Sequence, residues 1–255
     1  LSDDHWRIEP YNDLSMKRTH HLQVARLGQA LASPVRLRAL NLLAQRAWRV
    51  SELARELGES LAATSAHLKV LRDAAMVVDE KRGREVWCRV ESDEVLALLA
   101  AAQRAAEVLL PELREAAREA DEDPHLLRSF QLGALAEDVA QGRVTLVDLR
   151  PGAEYLSGHL PGAQSYPFPE LDTADLTPLK RKRNIVAYCR GPWCLMARQG
   201  VDALNQRGVA AKRLRAGIVE WRAEGLELER AASPAATAPP SNGASPQAAA
   251  PRKPE

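Results

Sequence analysis

The apolar residues of this chain change their period partway along it, and that change divides the molecule. From His20 to about Gln45, Leu22, Leu27, Leu31, Val35, Leu37, Leu40 and Leu43 fall roughly at helical spacing. Beyond Leu127 the pattern turns to short β-prone runs, VTLVDL at 144–149 and NIVAYC at 184–189, alternating with helical pieces as a parallel sheet requires. A chain of 255 residues has room for two such units, each with its own core.

In the helical half, Ser33-Pro34 interrupts the first run as an N-cap with proline at the first helical position, so two helices are expected. Ser51 is expected to cap a short helix, SELARELG, ended by Gly58, and Ser60 to open another, SLAATSAHLKVLRDAAM. Helix, glycine-containing turn and helix is the pattern of a helix-turn-helix. VVDEKRGREVWCRV then reads as a hairpin with a basic tip at Lys81-Arg82-Gly83-Arg84. A long helix follows from Ser92, kinked or interrupted at Pro111. Its Val95, Leu99, Ala102, Ala106, Leu109, Leu113 and Ala116 alternate spacings of four and three, the seam of a coiled-coil-like contact.

Charge follows the same division. Residues 17–91 carry 14 Lys/Arg against 8 Asp/Glu, and residues 92–123 carry 3 against 9. The basic block suits a polyanion and the acidic one suits solvent or a partner, although a basic surface alone is commonly just a solvated face. A helix-turn-helix lays its second helix in the major groove and sets a basic wing on the backbone or minor groove. Thr64, Ser65, His67 and Lys69 are the side chains that helix would expose, and Arg82 and Arg84 would reach phosphate. The expected partner is double-stranded operator DNA.

Three cysteines, an odd number, argue against a disulfide framework and for a reducing compartment. There is no apolar run long enough to span a membrane and no signal-peptide pattern, so the cytoplasm is the expected location. From Ala231 onward the chain holds six of its sixteen prolines and almost no large apolar side chain, the composition of a disordered tail.

Over residues 20–118 the segments LASPVRLRAL, SELA, HLKVLRDA and the wing, in that order, resemble the ArsR/SmtB family of bacterial winged-helix repressors. The resemblance implies a homodimer joined through the 92–118 helix and release of DNA on binding a metal or reacting with an oxidant. Two departures matter. Where the family often places metalloid-binding cysteines this chain has Trp48, Arg49, Val50, Ser51 and Glu52, and residues 92–118 contain no histidine for the second common site. No metal is therefore expected. Leu61, Ala62, Ala63 and Ala66 also stand where polar recognition residues are frequent, which reduces direct base contacts.

A second resemblance covers residues 131–229. VDLRPGAEYLSGHLPGAQSYP, with Asp148, Arg150, Glu154, His159 and Pro161-Gly162-Ala163, YCRGPWC, and AGIVEWRAEGLELE together resemble the rhodanese domain. The expected fold class is thus multidomain, α+β followed by α/β: an arm at 1–16, a winged helix-turn-helix at 17–119, a linker at 120–130, a rhodanese domain with a central parallel sheet at 131–230, and a tail at 231–255.

Cys189 would end an apolar strand and enter a tight loop before a helix, where backbone N–H groups converge. That cradle, the helix dipole and Arg190 are expected to lower its pKa and make it the nucleophile that carries a persulfide. Arg190 could also bind an anionic donor such as thiosulfate. Cys194 reads either as a resolving thiol or as a small side chain facing the loop. Cys88 is expected to be a core thiol, Asp148 and Arg150 to form structural bonds with an ion pair to Glu154, His159 to anchor its loop, and Trp193 to pack. Rhodanese-fold phosphatases end a C-x5-R loop on an arginine; Leu195 stands there, so sulfur transfer is favoured over phosphate hydrolysis. No cofactor is expected.

The leading expectation is a regulator, a repressor by family habit, whose rhodanese domain senses sulfane sulfur or transfers it. Its alternative is an active thiosulfate or persulfide sulfurtransferase with an accessory DNA-binding module. A third is a constitutive DNA binder whose rhodanese domain recruits a partner.

Overall fold

The computed structural model describes residues 14–83, 85–128 and 130–230. Arg84, residues 1–13 of the expected arm, and the expected tail from 231 lie outside them; residues 14–16 of that arm belong to the first helix. Helices α1 (Leu14–Leu31) and α2 (Pro34–Gln45) meet at Ser33, whose hydroxyl accepts from the Arg36 amide with Pro34 opening α2. A short strand β1 (Trp48–Arg49) leads into α3 (Val50–Leu57), which ends at Gly58 in the left-handed region. The cap expected at Ser51 is corrected. Arg49 holds that position and Ser51 lies in the first turn, because pairing of Trp48 and Arg49 with Cys88 and Trp87 sets where the extended chain stops.

Helix α4 (Leu61–Asp73) starts at Ser60, whose hydroxyl accepts from the Ala63 amide at 3.1 Å. Strands β2 (Val77–Arg82) and β3 (Glu85–Val90) form the hairpin, and β1 completes an antiparallel sheet in the order β1-β3-β2. Leu40, Leu43, Leu53, Leu68, Leu71, Cys88 and Leu96 close the core beneath it.

The long helix breaks as Pro111 demands, into α5 (Asp93–Leu109) and α6 (Pro111–Asp121), with Leu110 extended between them. Its expected seam divides too. Val95 and Leu99 are buried in the chain's own core, Ala102, Ala106, Leu113 and Ala116 are half-buried, and Leu109 is 73% exposed. Only the later part of the seam is available to another molecule.

The second half runs α7 (Leu132–Ala140), β4 (Thr145–Asp148), α8 (Gly152–Ser157), β5 (Gln164–Ser165), α9 (Thr177–Lys180), β6 (Ile185–Tyr188), α10 (Leu195–Gln206), β7 (Ala211–Arg213) and α11 (Ile218–Ala223). Its four strands are parallel, in the order β5-β4-β6-β7. Alternate residues serve opposite faces: Leu146, Val186 and Tyr188 join one core, and Val147, Ile185 and Ala187 the other. The expected fold class holds in both halves.

The halves are not tethered loosely. Val219 of α11 is buried in the winged-helix core, and Arg222 of the same helix pairs with Asp93 of α5. The stretch expected as a linker is also tied down. Residues 120 and 121 finish α6, the Arg213 amide donates to His125 O at 2.6 Å, and the Leu127 amide donates to Arg213 O at 2.9 Å. Asp123 and Leu126 are buried, with Asp123 accepting from Arg213 at 3.1 Å. Backbone groups beside an open sheet edge need partners, and this segment supplies them. Among the described residues no helix is long and apolar enough to cross a membrane.

Candidate functional site

Parallel pairing of β4 with β6 brings the residues after both strands to one end of the sheet, where ligands of open α/β folds are held. After β4 comes a buried charge network. Arg150 donates to both Asp148 oxygens, at 2.6 Å from Nη2 to Oδ2, and to Gly158 O at 2.8 Å. The Tyr188 hydroxyl donates to Asp148 Oδ2 at 2.6 Å and accepts from the Leu160 amide. The third partner of Arg150 comes from the other half: Gln45 of α2 accepts from Nη1 at 3.1 Å. With every charge paired, the network fixes the sheet end at which the next loop begins.

That loop is Cys189 to Cys194. Its path depends on Gly217, where an added Cβ would lie 2.5 Å from Cys189 O and 2.8 Å from Gly191 N. Only glycine permits such an approach. The two sulfur atoms are 2.9 Å apart. Cys189 is fully buried, whereas Cys194 is partly exposed at the N-terminus of α10.

The two thiols divide the proton unequally. Cys194 is hydrogen-bonded to Cys189 and to the amides of Arg190, Met196 and Ala197, and its pKa falls to about 6. Those donors and the helix dipole stabilise its thiolate. Cys189 shares that hydrogen bond and is buried, so its pKa stands well above the ordinary thiol value. The pKa lowering expected at Cys189 falls on its neighbour Cys194 in this arrangement of the pair. The Arg190 amide serves both sulfurs, and those of Met196 and Ala197 serve Cys194.

Arg190 also behaves otherwise than expected. Its Nε lies 3.1 Å from both Glu154 oxygens, and its Nη1 donates to Glu56 of α3 at 3.2 Å. The guanidinium bridges two carboxylates and, with Cys194, lines a cavity between the halves. The ion pair expected between Arg150 and Glu154 is accordingly replaced by Arg190 with Glu154 and Arg150 with Asp148. His159 does anchor its loop, with Nδ1 3.0 Å from Tyr155 O and backbone bonds to Glu229. Trp193 is 40% exposed and lies under the Arg215 guanidinium, 5.5 Å from the ring centroid. Packing alone therefore does not account for it.

A cavity of about 350 Å³ lies beside Cys194, walled by Leu37, Asn41 and Leu42 of α2, Glu56 of α3, and Trp193 and Met196. Both halves of the chain thus line the approach to the loop. Gln45 and Glu56 belong to this arrangement and were missed from the sequence. A polar Gln45 ending an apolar helix was the one local signal for the former; Glu56 is an ordinary surface residue until the halves are assembled.

In the winged helix, Ser65 and Lys69 are exposed on α4 and His67 is half-exposed. Thr64 is not exposed, which corrects its assignment: with Leu68 and Leu71 it lies on the buried stripe of α4. Lys69 pairs with Asp73 at 2.6 Å, and Arg82 pairs with Glu80 at 2.9 Å while covering the Trp87 ring. Cys88 is a core thiol, donating to Asp79 at 3.2 Å, and burial pushes its pKa up to about 11. Among the described residues no group of three or more His, Cys, Asp or Glu is arranged to hold a metal ion.

Comparison with known proteins adds the following. Residues 33–78 match the arsR family of bacterial regulatory proteins, and residues 132–224 match the rhodanese-like domain. The HTH-type transcriptional regulator Rv0324 of Mycobacterium tuberculosis is 38% identical over 211 residues, spanning 82% of this chain and 92% of its own. Among solved structures, the homodimeric winged helix-turn-helix DNA-binding domain of Mb0332 from Mycobacterium bovis is 30% identical, over 44% of this chain and 95% of its own, with a TM-score of 0.36. NolR from Sinorhizobium fredii is 29% identical, over 37% and 91%, with a TM-score of 0.34.

Proposed function

Because the chain belongs to the arsR family of HTH-type transcriptional regulators and carries a rhodanese-like domain behind its winged helix, we propose that it is a cytoplasmic repressor whose operator affinity responds to sulfane sulfur at Cys189 and Cys194. One observation carries the reading. The loop between the two thiols is docked on the first helix of the helix-turn-helix by the Arg190–Glu56 pair. Helix α3 packs against α4, the helix whose Ser65, His67 and Lys69 would meet operator bases and phosphates, with Arg82 and Arg84 of the wing on the backbone. A covalent change at the thiols reshapes the loop, and Arg190 conveys the change to α3. An allosteric claim requires such a physical link between two sites, and this pair provides one.

The protein acts as a homodimer in this reading, joined through α5 and α6. Val108 and Leu109 are 69% and 73% exposed there and need an apolar partner. A purely enzymatic role draws less support. The cation expected to grip thiosulfate is held by Glu154 and Glu56 instead.

Fluorescence anisotropy on DNA from upstream of the protein's own coding region tests the proposal, with and without inorganic polysulfide. The wild type should change its affinity by tenfold or more, about 1.4 kcal/mol. The double variant Cys189→Ser/Cys194→Ser should not respond. Equal responses from both proteins would defeat the reading.

A further inference from the structure

Two arginines at the end of β7 reach the helices on which the proposed dimer is built. Arg213 pairs with buried Asp123 at 3.1 Å and donates to Ala120 O at 3.4 Å, which pins the end of α6. Arg215 spans more. Its Nη1 lies 2.8 Å from Asp121 Oδ1 of α6, its Nη2 lies 3.5 Å from Glu107 Oε1 of α5, and its Cζ stands 5.5 Å from the ring centroid of Trp193 in the reactive loop. We propose that Arg215 is a positioning residue that carries the state of the loop to the elbow between α5 and α6, so that sulfur loading alters the affinity of one copy of the chain for another. This rests on the reading of the loop as a sulfur-responsive centre and of α5 and α6 as the dimer helices. It adds a route separate from the Arg190–Glu56 pair, which acts on α3.

The elbow takes its angle from outside itself. Leu110 is extended between the two helices, and Pro111 has no amide with which to continue the hydrogen-bond ladder. No residue of α6 is fully buried, so a core of its own does not fix its direction relative to α5. One guanidinium holding a carboxylate on each side of the bend does so instead. Val108, Leu109 and Leu110 are exposed at that bend, and the apolar surface they offer to a second copy turns with it.

The loop end of the link is equally direct. Trp193 immediately precedes Cys194, and the sheet holds the other partner in place: the Leu214 amide donates to Ala187 O of β6 at 2.9 Å, and Leu214 is buried. A guanidinium over an aromatic face is attracted to it, more strongly where water is excluded, and the Arg215 side chain is mostly buried. Loading displaces the ring. A persulfide or polysulfide R–S–SH gives its outer sulfur to one thiol of the pair: the donor S–S bond breaks, a new S–S bond forms to the cysteine sulfur, and R–S⁻ leaves with the bonding electron pair and takes up the thiol proton. The products are R–SH and Cys–S–SH. The added atom extends the side chain by about 2 Å. The two sulfurs already lie 2.9 Å apart, so the loop must open, and Trp193 moves with it. Coupling between two sites requires a physical element that both of them bias, and Arg215 touches both.

The test is sedimentation velocity on the full chain over a concentration series, with and without inorganic polysulfide, beside intact mass to count the added sulfur. In the wild type, loading should change the dimer dissociation constant at least fivefold. Arg215→Gln should take up sulfur to the same extent and change that constant less than twofold. Trp193 is partly exposed, so Trp193→Ala keeps the test open if Arg215→Gln folds poorly; it should lose the response, and Trp193→Phe, which keeps an aromatic face, should restore most of it. A response in Arg215→Gln or Trp193→Ala as large as the wild type's would overturn the proposal, as would a loaded wild type whose dimer constant stays put. Should intact mass show no added sulfur, the reading of the loop fails, and the link is judged on carboxamidomethylation of Cys194 instead. That adduct should shift the dimer constant in the wild type and not in Arg215→Gln, and any other pattern would overturn the link itself.

Discussion

Arg190 Nη1 lies 3.2 Å from Glu56 Oε1, joining the residue that follows Cys189 to the first helix of the helix-turn-helix. The other side of the same guanidinium is held by Glu154, buried at 1% exposure. One cation is therefore anchored in the rhodanese domain and reaches out to the winged helix. The pair with Glu56 is partly exposed and contributes about 0–1 kcal/mol, so its importance lies in geometry and not in stability.

Glu56→Gln separates these two roles. The variant should unfold within about 1 kcal/mol of the wild type by urea titration. Its affinity for operator in the reduced state should change little, while its response to polysulfide should fall several-fold. A full response in this variant would mean that the signal travels elsewhere, for example through α11 and α5.

The pH dependence of alkylation follows from the unequal thiols. Cys194, with its pKa lowered to about 6, is thiol below that pH and thiolate above it. Its labelling rate should rise as pH climbs through about 6 and level off near neutrality. Cys189, raised by burial and by its bond to Cys194, should stay unlabelled across the same range. In Cys189→Ala the sulfur–sulfur hydrogen bond is gone, and the Cys194 midpoint should move up toward the ordinary cysteine value of about 8.5. Stopped-flow labelling with mass detection measures all three.

Gly217→Ala places a methyl group against Cys189 O and Gly191 N. The loop must give way, at a cost of about 1–3 kcal/mol as for other overpacked sites. Since the amides around Cys194 shift with it, its labelling at pH 7 should slow markedly. Thermal denaturation and labelling together distinguish a moved loop from a merely weaker fold.

Asp148→Ala leaves Arg150 charged and buried with its main partner removed. Breaking a buried pair from one side costs about 3–5 kcal/mol, and the Tyr188 hydroxyl loses its acceptor as well. Chemical denaturation should show this loss, and the Cys189–Cys194 chemistry should fail in proportion as the sheet end loosens.

Leu109→Glu tests the homodimer. A charge on the exposed later part of the seam should convert dimers to monomers at micromolar concentration, read by sedimentation, without lowering the midpoint of unfolding of the monomer. Operator affinity should fall sharply, since each monomer then grips half a site.

Much was legible in the residues themselves, because the signals are local. Ser33-Pro34, Ser60, Gly58 and Pro111 mark helix ends through caps and missing donors, and period-two runs mark β4 and β6; each depends on the backbone and a few neighbours. The order of elements and the two family resemblances, which located the reactive loop, needed no more. What tertiary structure alone decided is which groups face one another. Thr64 turned inward because α4 rotates its 64–68–71 stripe onto the core. Arg190 turned toward Glu154 and Glu56 because two carboxylates, 36 and 134 residues away in the chain, come within reach only once the rhodanese domain folds, for the first, and docks on the winged helix, for the second. The surroundings of the two cysteines depend on tertiary structure in the same way. Amide direction depends on where β6 ends and α10 begins in space, and a strand-to-helix turn can aim its N–H groups at either end of the loop.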